Sequence, residues 1–428
     1  MKRILTVFVA TVGTLVASAQ ESPQTLSLSL FEAQEFAVEH NRTLANASID
    51  VQKAQAAKWQ AAASMLPQVK VSGDYSNYFG YKMNIGGMSI SMPPYSTLGV
   101  TSSIAFSGAM VTGLQMAEIS KKMSDINVRK SERDIRNQVE TLYYSILVTE
   151  ESLSLLRENL KSMESLAEIS QNSVNIGVAE QTDADQLKVQ VASMKASINS
   201  VERSLEMAYN FLRLQLTVEE DVEIQLTQKI EDILNIAYAA ALMDEQFDID
   251  RNYDFQLLRK STDLAKKQIA STFWSNGPVL SIYHQYSYKH YFSDEMTMNM
   301  TPPNMMGIQL SIPIFTSGKT ASAIKDAKLS YRKQMNTMKD TELALNVQHR
   351  QLVYNLRSSL EKYSTQKQSV DVARRVFDNI ARKYEYGVAS SLDVTNAGTS
   401  LLNAQNSYVQ SLLEIVEGKI SLEELLNK

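Results

Sequence analysis

The sequence repeats itself at an offset of 210 residues, and this repeat restricts the possible folds more than any other feature. The match is collinear and needs one single-residue gap, because the offset is 211 towards the start of each half. The matching segments are Pro67 and Pro278, Tyr75-Ser76 and Tyr286-Ser287, Ser107-Gly108 and Ser317-Gly318, Leu142-Tyr143-Tyr144 and Leu352-Val353-Tyr354, Ile176-Gly177-Val178-Ala179 and Tyr386-Gly387-Val388-Ala389, and Asp183 and Asp393. The chain is therefore predicted to be an internal duplication with the same order of elements in each half.

Each half contains a long stretch with almost no helix-breaking residues. From Ala109 to Ser173 the only glycine is Gly113 and there is no proline, and residues 319–386 contain neither. At 1.5 Å per residue, each stretch predicts a helix of roughly 100 Å. Apolar residues recur at steps of three and four, as in a coiled-coil seam. In the first stretch they are Ile135, Val139, Leu142, Ile146, Leu153, Leu156, Leu160 and Met163, and Thr149 occupies the one step without an apolar residue. Gly177 and Gly387 end these helices, so each half is predicted to form an antiparallel helical hairpin.

The predicted organisation is a first repeat over residues 20–214, an equatorial linker over 215–250 and a second repeat over 251–428. The predicted elements of the first repeat are helix 29–66, strands 68–81 and 96–106, and helices 108–176 and 180–214. Those of the second repeat are helix 251–276, strands 279–292 and 305–315, and helices 318–386 and 389–426. The fold class is mainly α, with two long coiled-coil hairpins and four strands per protomer.

The predicted strands alternate apolar and polar residues. In the last strand, for example, Ile308 and Leu310 alternate with Gln309 and Ser311. Such alternation over about ten residues is typical of a transmembrane β-strand, with one face to lipid and the other to a wet lumen. Four strands cannot close a barrel, and open strand edges are not tolerated in hydrocarbon, so the strands are predicted to pair with those of other copies. Three copies would give twelve strands, and two copies would give eight. A soluble hairpin with one half-buried face remains the alternative.

Residues 1–19 are predicted to be a signal peptide. Lys2 and Arg3 precede an apolar stretch, and Ala17-Ser18-Ala19 has the A-x-A form of a cleavage site. No later stretch has the roughly 20 consecutive apolar residues of a transmembrane helix. The chain is therefore predicted to be exported, and any membrane insertion is expected to use strands.

Composition argues against several classes of protein. Cysteine is absent, which excludes disulfides and thiolate chemistry. The four histidines, His40, His284, His290 and His349, have no metal-binding spacing. The balance of 42 basic and 47 acidic residues argues against a nucleic-acid partner. No catalytic residue, cofactor or metal site is predicted, and the chain is not expected to be an enzyme.

Eight methionines lie in or beside the two connections between paired strands. Thioethers suit Cu(I), but methionine also packs on adaptable surfaces, and we prefer the second interpretation. These residues are Met83, Met88, Met92, Met296, Met298, Met300, Met305 and Met306.

Three segments of this chain resemble the TolC-like outer-membrane efflux family of Gram-negative bacteria. They are the strand-to-helix segment Ser311-Ile312-Pro313-Ile314-Phe315-Thr316-Ser317-Gly318, the first tip Asn175-Ile176-Gly177-Val178 with Thr182-Asp183, and the second tip Tyr386-Gly387-Val388-Ala389-Ser390-Ser391-Leu392-Asp393-Val394. The resemblance extends over about residues 24–427. It implies a homotrimer with a twelve-stranded β-barrel in the outer membrane and an α-helical tunnel across the periplasm.

The resemblance also implies a function and partners. The trimer would be the exit channel of a tripartite efflux or type I secretion system. It would passively conduct substrates that an inner-membrane pump, of RND or ABC type, delivers through a periplasmic adaptor (membrane fusion protein). The alternative is a periplasmic coiled-coil scaffold or adaptor that does not enter the membrane.

The hairpin tips are the first candidate site. Gly177 and Gly387 are the left-handed ends of long helices. By resemblance, Gly177, Val178, Gly387 and Val388 are expected to contact the adaptor.

The second candidate site is a gate beside the second tip. In the family a D-x-x-D pair lines the constricted periplasmic mouth with two acidic rings. This chain has Asp393 and Asn396 at those positions, so one of its rings would be neutral. Three carboxylates in one narrow ring would still favour cations. Asp183 and Asp185, in the first turn of the other return helix, are interpreted as capping residues.

Overall fold

A computed structural model describes residues 25–293 and 302–428 of the chain. The predicted signal peptide, together with Met296, Met298 and Met300, lies outside the described residues. The elements up to the end of the first hairpin are β1 (Thr25–Leu28), α1 (Leu30–His40), α2 (Arg42–Ala63), β2 (Gln68–Ser76), β3 (Lys82–Ile85), β4 (Met88–Ser91), β5 (Tyr95–Ser107), α3 (Gly108–Asn175) and α4 (Gln181–Leu216). The elements that follow are β6 (Glu223–Leu226), α5 (Ile230–Ile233), α6 (Ile236–Leu242), a 3-10 turn (Ile249–Arg251), α7 (Tyr253–Trp274), β7 (Val279–Tyr291), β8 (Asn304–Ser311), α8 (Lys319–Glu385) and α9 (Ser391–Leu426).

The two longest helices, α3 and α8, occupy corresponding positions in the two halves. They have 68 and 67 residues, so each is about 100 Å long. Ser107 caps α3, because its Oγ accepts a hydrogen bond from the Met110 amide at 3.4 Å. α8 begins after Gly318, whose φ of 81° is a left-handed conformation that glycine adopts without strain. Return helices α4 and α9, each of 36 residues, pack back along α3 and α8 respectively.

The single helix predicted over 29–66 is wrong, because the chain forms two helices, α1 and α2, that meet at Asn41. Asn41 is extended, with φ −70° and ψ 121°. Its side chain accepts from the Thr43 amide at 2.8 Å, which caps α2, and donates to the Gln215 carbonyl at 3.2 Å, which ties the break to the end of α4. α2 then ends at Ala63, ahead of Pro67.

Two predicted strands end earlier than expected. The strand predicted over 68–81 ends at Ser76, because the chain turns at Phe79 and Gly80, which both have positive φ. The strand predicted over 305–315 ends at Ser311, ahead of Pro313, which has no amide hydrogen to give to a ladder. The remaining predicted strands and the other predicted helices begin and end within two residues of their predicted bounds.

The four longest strands form one antiparallel sheet in the order β2-β5-β7-β8, so β2 and β8 are its edges. The register collects apolar side chains on one face, in rows such as Phe106-Leu280-Leu310 and Ile104-Ile282-Ile308. The other face is polar, as in the row of Lys70, Thr101 and Gln285. The sheet therefore has one apolar and one polar side.

Two small pairs of strands were not predicted from the sequence. β3 and β4 form an antiparallel hairpin between β2 and β5. β1 pairs in parallel with β6, which belongs to the equatorial linker. Tyr143 Oη of α3 donates to the Leu28 carbonyl at 3.1 Å, and the Leu30 amide donates to Gln228 Oε1 at 2.8 Å. These bonds fix the start of the described chain and the linker to the middle of α3.

Four apolar cores hold the long helices together within the described residues, and two of them are the largest. The larger core lies at the level of the linker and includes Tyr143, Ile146, Leu212 and Val416. The second lies towards the hairpin tips and draws residues from α3, α4, α8 and α9. Within residues 25–293 and 302–428, no helix is both long and apolar enough to cross a membrane.

Candidate functional site

The first hairpin tip is a tight helix end built around Gly177. The Gly177 amide donates to the Val174 carbonyl at 2.9 Å, and the Val178 amide donates to the Ser173 carbonyl at 2.9 Å. This pair of bonds is a Schellman motif, which satisfies the last carbonyls of α3. Gly177 has a φ of 80°, so a residue with a side chain would be strained there.

The second tip repeats this geometry around Gly387. The Gly387 amide donates to the Tyr384 carbonyl at 2.9 Å, and the Val388 amide donates to the Lys383 carbonyl at 2.8 Å. The φ of Gly387 is 72°. Both tips are therefore rigid turns of the same kind.

Both tips present apolar side chains to solvent. A Schellman end frequently packs the apolar residue after its glycine against its own helix. Val178 and Val388 occupy that position, yet both are exposed, as are Ile176 and Tyr386 before the glycines. Exposed apolar side chains grouped at the end of a hairpin form a surface suited to a protein partner.

One hydrogen-bonded contact joins the two hairpins beside the tips. Ser391 Oγ donates to Asp183 Oδ1 at 2.5 Å, and the same oxygen lies 3.0 Å from Gln186 Oε1. Ser391 is buried, whereas Asp183 belongs to the more open first turn of α4. The contact links the start of α9 to the start of α4.

This contact corrects the interpretation of Asp183 as a capping residue. α4 begins after Glu180 without a side-chain cap, and the Asp183 carboxylate binds the other hairpin instead. Asp185 accepts a hydrogen bond from Gln181 Nε2 at 2.8 Å within α4. Sequence reasoning missed Ser391, because the residue 210 positions earlier is Gln181 and the repeat therefore gives no signal.

Asp393 belongs to a capping box at the start of α9. The Ser390 amide donates to Asp393 Oδ2 at 3.0 Å, and the Asp393 amide donates to Ser390 Oγ at 3.2 Å. Hydrogen bonds from the amide and hydroxyl of Ser390 lower the pKa of the exposed Asp393 carboxyl, so its charge persists into more acidic solution. Asn396 is also exposed, and a spacing of three residues places both side chains on one face of α9.

The opposite face of α9 fixes the position of Asp393 and Asn396. Val394 and Leu401 are buried in the core near the tips. A Cβ on Gly398 would lie 2.8 Å from Met163 Cε, so only a glycine lets α9 approach the first hairpin this closely without displacing Met163. Because α9 is packed on this side, its exposed face holds Asp393 and Asn396 outward.

The polar face of the sheet is the second part of the candidate site. Near one end of this face, Lys289 Nζ lies 4.4 Å from the centre of the Tyr95 ring, a cation–π contact. Tyr78 Oη lies 3.4 Å from Tyr95 Oη. At a lower level the Tyr283 ring covers Gly307, where a Cβ would lie 2.6 Å from it. A sheet with one apolar and one polar face can separate lipid from water.

Neither part of the site has the features of a metal centre. Across the described ranges, no three His, Asp or Glu side chains are placed to hold one ion. Met305 and Met306 are adjacent on β8, so they project to opposite faces of the sheet.

Comparisons with known proteins agree with this architecture. The sequence model of the family described as "Outer membrane efflux protein" matches residues 35–216 and 249–428. The chain is 21% identical over 439 residues to outer membrane protein TolC of Vibrio cholerae serotype O1, covering 99% of this chain and 97% of that protein. It is 22% identical over 288 residues to the alkaline protease secretion protein AprF of Pseudomonas aeruginosa, covering 66% of this chain and 59% of that protein. The crystal structure of the outer membrane protein VceC from Vibrio cholerae superposes with a TM-score of 0.76 at 17% identity, covering 93% of this chain and 95% of VceC.

Proposed function

The chain belongs to the outer membrane efflux protein family, and from that premise we propose that three copies assemble into one export duct. The protein is an outer-membrane channel for efflux or secretion. The finer proposal is that each duct is a homotrimer with a twelve-stranded barrel and a helical periplasmic tunnel. The duct passively conducts the substrates that an inner-membrane pump delivers to it.

The observation that carries this proposal is the open sheet with one apolar face. β2 and β8 are edge strands, and each has one side without a partner within the described chain. Unpaired amides and carbonyls are not tolerated in hydrocarbon, so the edges of neighbouring copies must pair. Two copies would give eight strands, a barrel whose interior side chains largely fill, whereas three copies give twelve strands and leave room for water.

The repeated order of elements supports the same assembly. In each half a helix leads into two long strands, and a long hairpin follows. We interpret this common order as an internal duplication. Three copies then place six similar units around one axis, with the polar face of every strand pair towards the lumen.

The exposed apolar tips support docking to a periplasmic adaptor. Gly177 and Val178 form one contact of this kind, and Gly387 and Val388 form the other. A rigid turn with exposed apolar side chains loses little conformational entropy when it binds. Through the adaptor the duct would receive substrate from an RND or ABC pump, a role related to that of AprF, which is named for protease secretion.

We place a gate at the same end, formed by the start of α9. In a resting trimer the three Asp393 carboxylates and three Asn396 amides would line a narrow mouth. The Ser391–Asp183 hydrogen bond would hold each second hairpin against its first hairpin and keep this mouth closed. Docking at the tips would break that contact and let the second hairpin swing outward.

Fractionation tests the proposed assembly. The full chain, expressed in a Gram-negative cell, should sediment with outer membranes and migrate as a trimer in mild detergent until it is heated. A soluble monomer in the periplasm would contradict the duct and favour the alternative, a coiled-coil scaffold or adaptor without membrane insertion.

A further inference from the structure

Three buried charged side chains meet where α9 crosses α3, far along the helices from the tips. Lys419 Nζ lies 2.6 Å from Glu140 Oε1 and 3.2 Å from Glu423 Oε2. The side chains of Lys419, Glu140 and Glu423 are 10%, 11% and 12% exposed. We name these residues the equatorial triad. With both carboxylates ionised it carries one excess negative charge, which is unfavourable in a buried position.

Every element packed around the equatorial triad contributes a neighbour. From α1, Gln34 Nε2 donates to Glu140 Oε2 at 3.3 Å. From α3 and α6, the rings of Tyr144 and Tyr238 lie 5.6 and 5.7 Å from Lys419 Nζ. From α8, the Leu356 side chain packs against Gly418, the residue before Lys419, and a Cβ on that glycine would lie 3.3 Å from Leu356 Cδ1. The neighbour from α8 is therefore apolar.

Four basic residues line the cavity beside Glu140 and Glu423, namely Arg129, Arg133, Arg136 and Lys428, and the last three form ion pairs with other acids. Arg133 of α3 pairs with Asp134 and Glu424, and Arg136 pairs with Glu35 and Glu132. Glu245, after α6, pairs with Lys428. These pairs leave the excess negative charge with Glu140 and Glu423.

The triad has no counterpart in the other half of the chain. At an offset of 210, the residues corresponding to Lys419, Glu423 and Glu140 are Tyr209, Arg213 and Arg350. A hairpin of this fold therefore does not need a buried triad in order to pack. The triad belongs specifically to the seam between α3 of the first hairpin and α9 of the second.

We propose that the equatorial triad is a proton-sensitive joint, in which uptake of one proton by Glu423 tightens α9 on α3. Protonation removes the excess negative charge and leaves the Lys419–Glu140 ion pair intact. The functional consequence rests on the proposed gate: a tighter seam restrains the second hairpin, so the resting duct opens less readily in acid.

The electrostatics around Glu423 agree with this direction. Burial raises the pKa of Glu423, and the Glu140 carboxylate raises it further; together they outweigh the opposing effects of Lys419 and of the hydrogen bond from the Tyr238 hydroxyl. A carboxyl group whose pKa is raised in the folded state makes that state less stable as the pH rises above its unfolded value of 4.5. Acidification towards 4.5 therefore strengthens the seam. Burial opposes the charged form of Lys419, but the two carboxylates outweigh burial and raise its pKa, so Lys419 stays charged in this range.

Amide hydrogen exchange of the purified full-length protein in detergent tests the joint without relying on channel activity. As the pH falls from about 7.5 to about 4.5, protection of residues 408–424, corrected for the intrinsic exchange rate, should rise by up to about tenfold for each unit by which the Glu423 pKa is raised. Residues 198–214 of α4, which occupy the matching position without a triad, are the internal reference and should not change. Glu423→Gln mimics the protonated form and should be highly protected at every pH.

Equal pH dependence in the wild type and Glu423→Gln, or a flat profile in the wild type, would overturn the joint. The neutral variant Glu140→Gln/Lys419→Met/Glu423→Gln keeps the seam without charge, and its protection should not depend on pH. Single-channel recording is the separate functional arm: the wild type should open less often as the pH falls, and Glu423→Gln should not respond. Absence of any conducting channel would count against the proposed function, while hydrogen exchange still decides the joint.

Discussion

α3 and α8 have almost the same length and corresponding positions, but their surroundings differ. Sixteen residues of α3 are buried, whereas only Ala327, Leu356 and Phe377 are buried in α8. Tyr144 and Tyr354 correspond at the repeat offset, and they are 2% and 69% exposed. Neighbouring helices cover faces of α3 whose counterparts on α8 are exposed to solvent.

The surface that α8 leaves exposed includes several large apolar side chains. Its exposed large apolar residues are Leu329, Leu343, Val347, Tyr354, Val372 and Val376. Exposed apolar side chains grouped along one helix mark an interaction surface. α3 is covered by α7 and α9 of its own chain, so α8 is expected to be covered by the corresponding elements, α2 and α4, of the next copy.

The junction between helix and sheet shows the same difference. At Gly108 a Cβ would lie 2.1 Å from Trp274, so the α7 side chain covers the start of α3. At Gly318, the counterpart, nothing lies within 4 Å. One seam is therefore closed within the protomer, whereas the equivalent seam is open on the single chain, and we expect a second copy to close it.

The largest effects are expected from substituting Tyr144 and Tyr354, and the two substitutions should affect different properties. Tyr144→Ala removes a buried side chain and should destabilise the folded protomer by about 3–5 kcal/mol, measured by urea unfolding in detergent. Tyr354→Ala should leave that unfolding free energy nearly unchanged but lower the temperature at which the trimer dissociates. Equal effects on the protomer would mean that α8 is packed like α3.

The comparison extends to β8, the edge strand that precedes α8. Ile308→Arg places a charge on the apolar face and should cost about 2–4 kcal/mol near the bilayer midplane, which blocks assembly. Gln309→Arg, one residue along on the polar face, is the matched control and should assemble. Heat-modifiable migration of the outer-membrane fraction measures both. Similar tolerance at the two positions would show that β8 does not face lipid.

A third prediction concerns the contact between the halves at the tips. Ser391→Ala removes a hydrogen bond to a charged group, about 1.5–3 kcal/mol, and should raise the opening frequency of single channels by roughly tenfold or more. Ser390→Ala, next to it, removes only the helix cap and should change opening much less. An unchanged opening frequency in Ser391→Ala would exclude this contact from the gate.

The smallest effects are expected at Asp393 and Asn396. Asp393→Asn keeps the capping geometry but removes the charge, so block of the channel by multivalent cations should weaken, whereas Asn396→Asp should strengthen it. The pKa of the Asp393 carboxyl in the folded protein lies below its unfolded value of 3.8. The carboxylate is therefore charged at every pH above 3.8, and it loses its charge only when the pH falls below that value. Cation block in the wild type should therefore persist down to about pH 4. Identical block in the wild type and Asp393→Asn would leave Asp393 as a capping residue alone.

Much of the fold was predictable because its signals are local. The absence of glycine and proline sets α3 and α8, and Gly177 and Gly387 end them with left-handed turns. Alternation along Ile308 to Ser311 also gave the two faces of β8. By contrast, the break at Asn41 combines a local helix cap with a hydrogen bond to Gln215, which is distant in sequence.

The contacts that couple the two halves were not predictable from periodicity. Ser391 meets Asp183, and Lys419 meets Glu140, only after the hairpins have packed side by side. Ser391 corresponds to Gln181 in the repeat, and Lys419 corresponds to Tyr209, so the internal symmetry does not indicate either contact. β1 and β6 are each four residues long and pair across nearly 200 positions, too short a pattern to predict.

Chemical cross-linking tests the central claim, that the open seam of α8 is closed by α2 of another copy. Lys130 Nζ of α3 contacts Asp254 Oδ1 of α7 at 3.0 Å within one chain. At the repeat offsets, Lys130 corresponds to Asp340 of α8 and Asp254 corresponds to Thr43 of α2, so Asp340 of one copy is expected to lie beside Thr43 of the next. The chain has no cysteine, so Thr43→Cys/Asp340→Cys can be joined selectively by a short bismaleimide, with Lys130→Cys/Asp254→Cys as the intrachain control. After denaturation, Thr43→Cys/Asp340→Cys should give covalent dimers and trimers and nothing larger, while the control stays monomeric. A product that is only monomeric, or an open-ended ladder beyond the trimer, would contradict a closed ring of three.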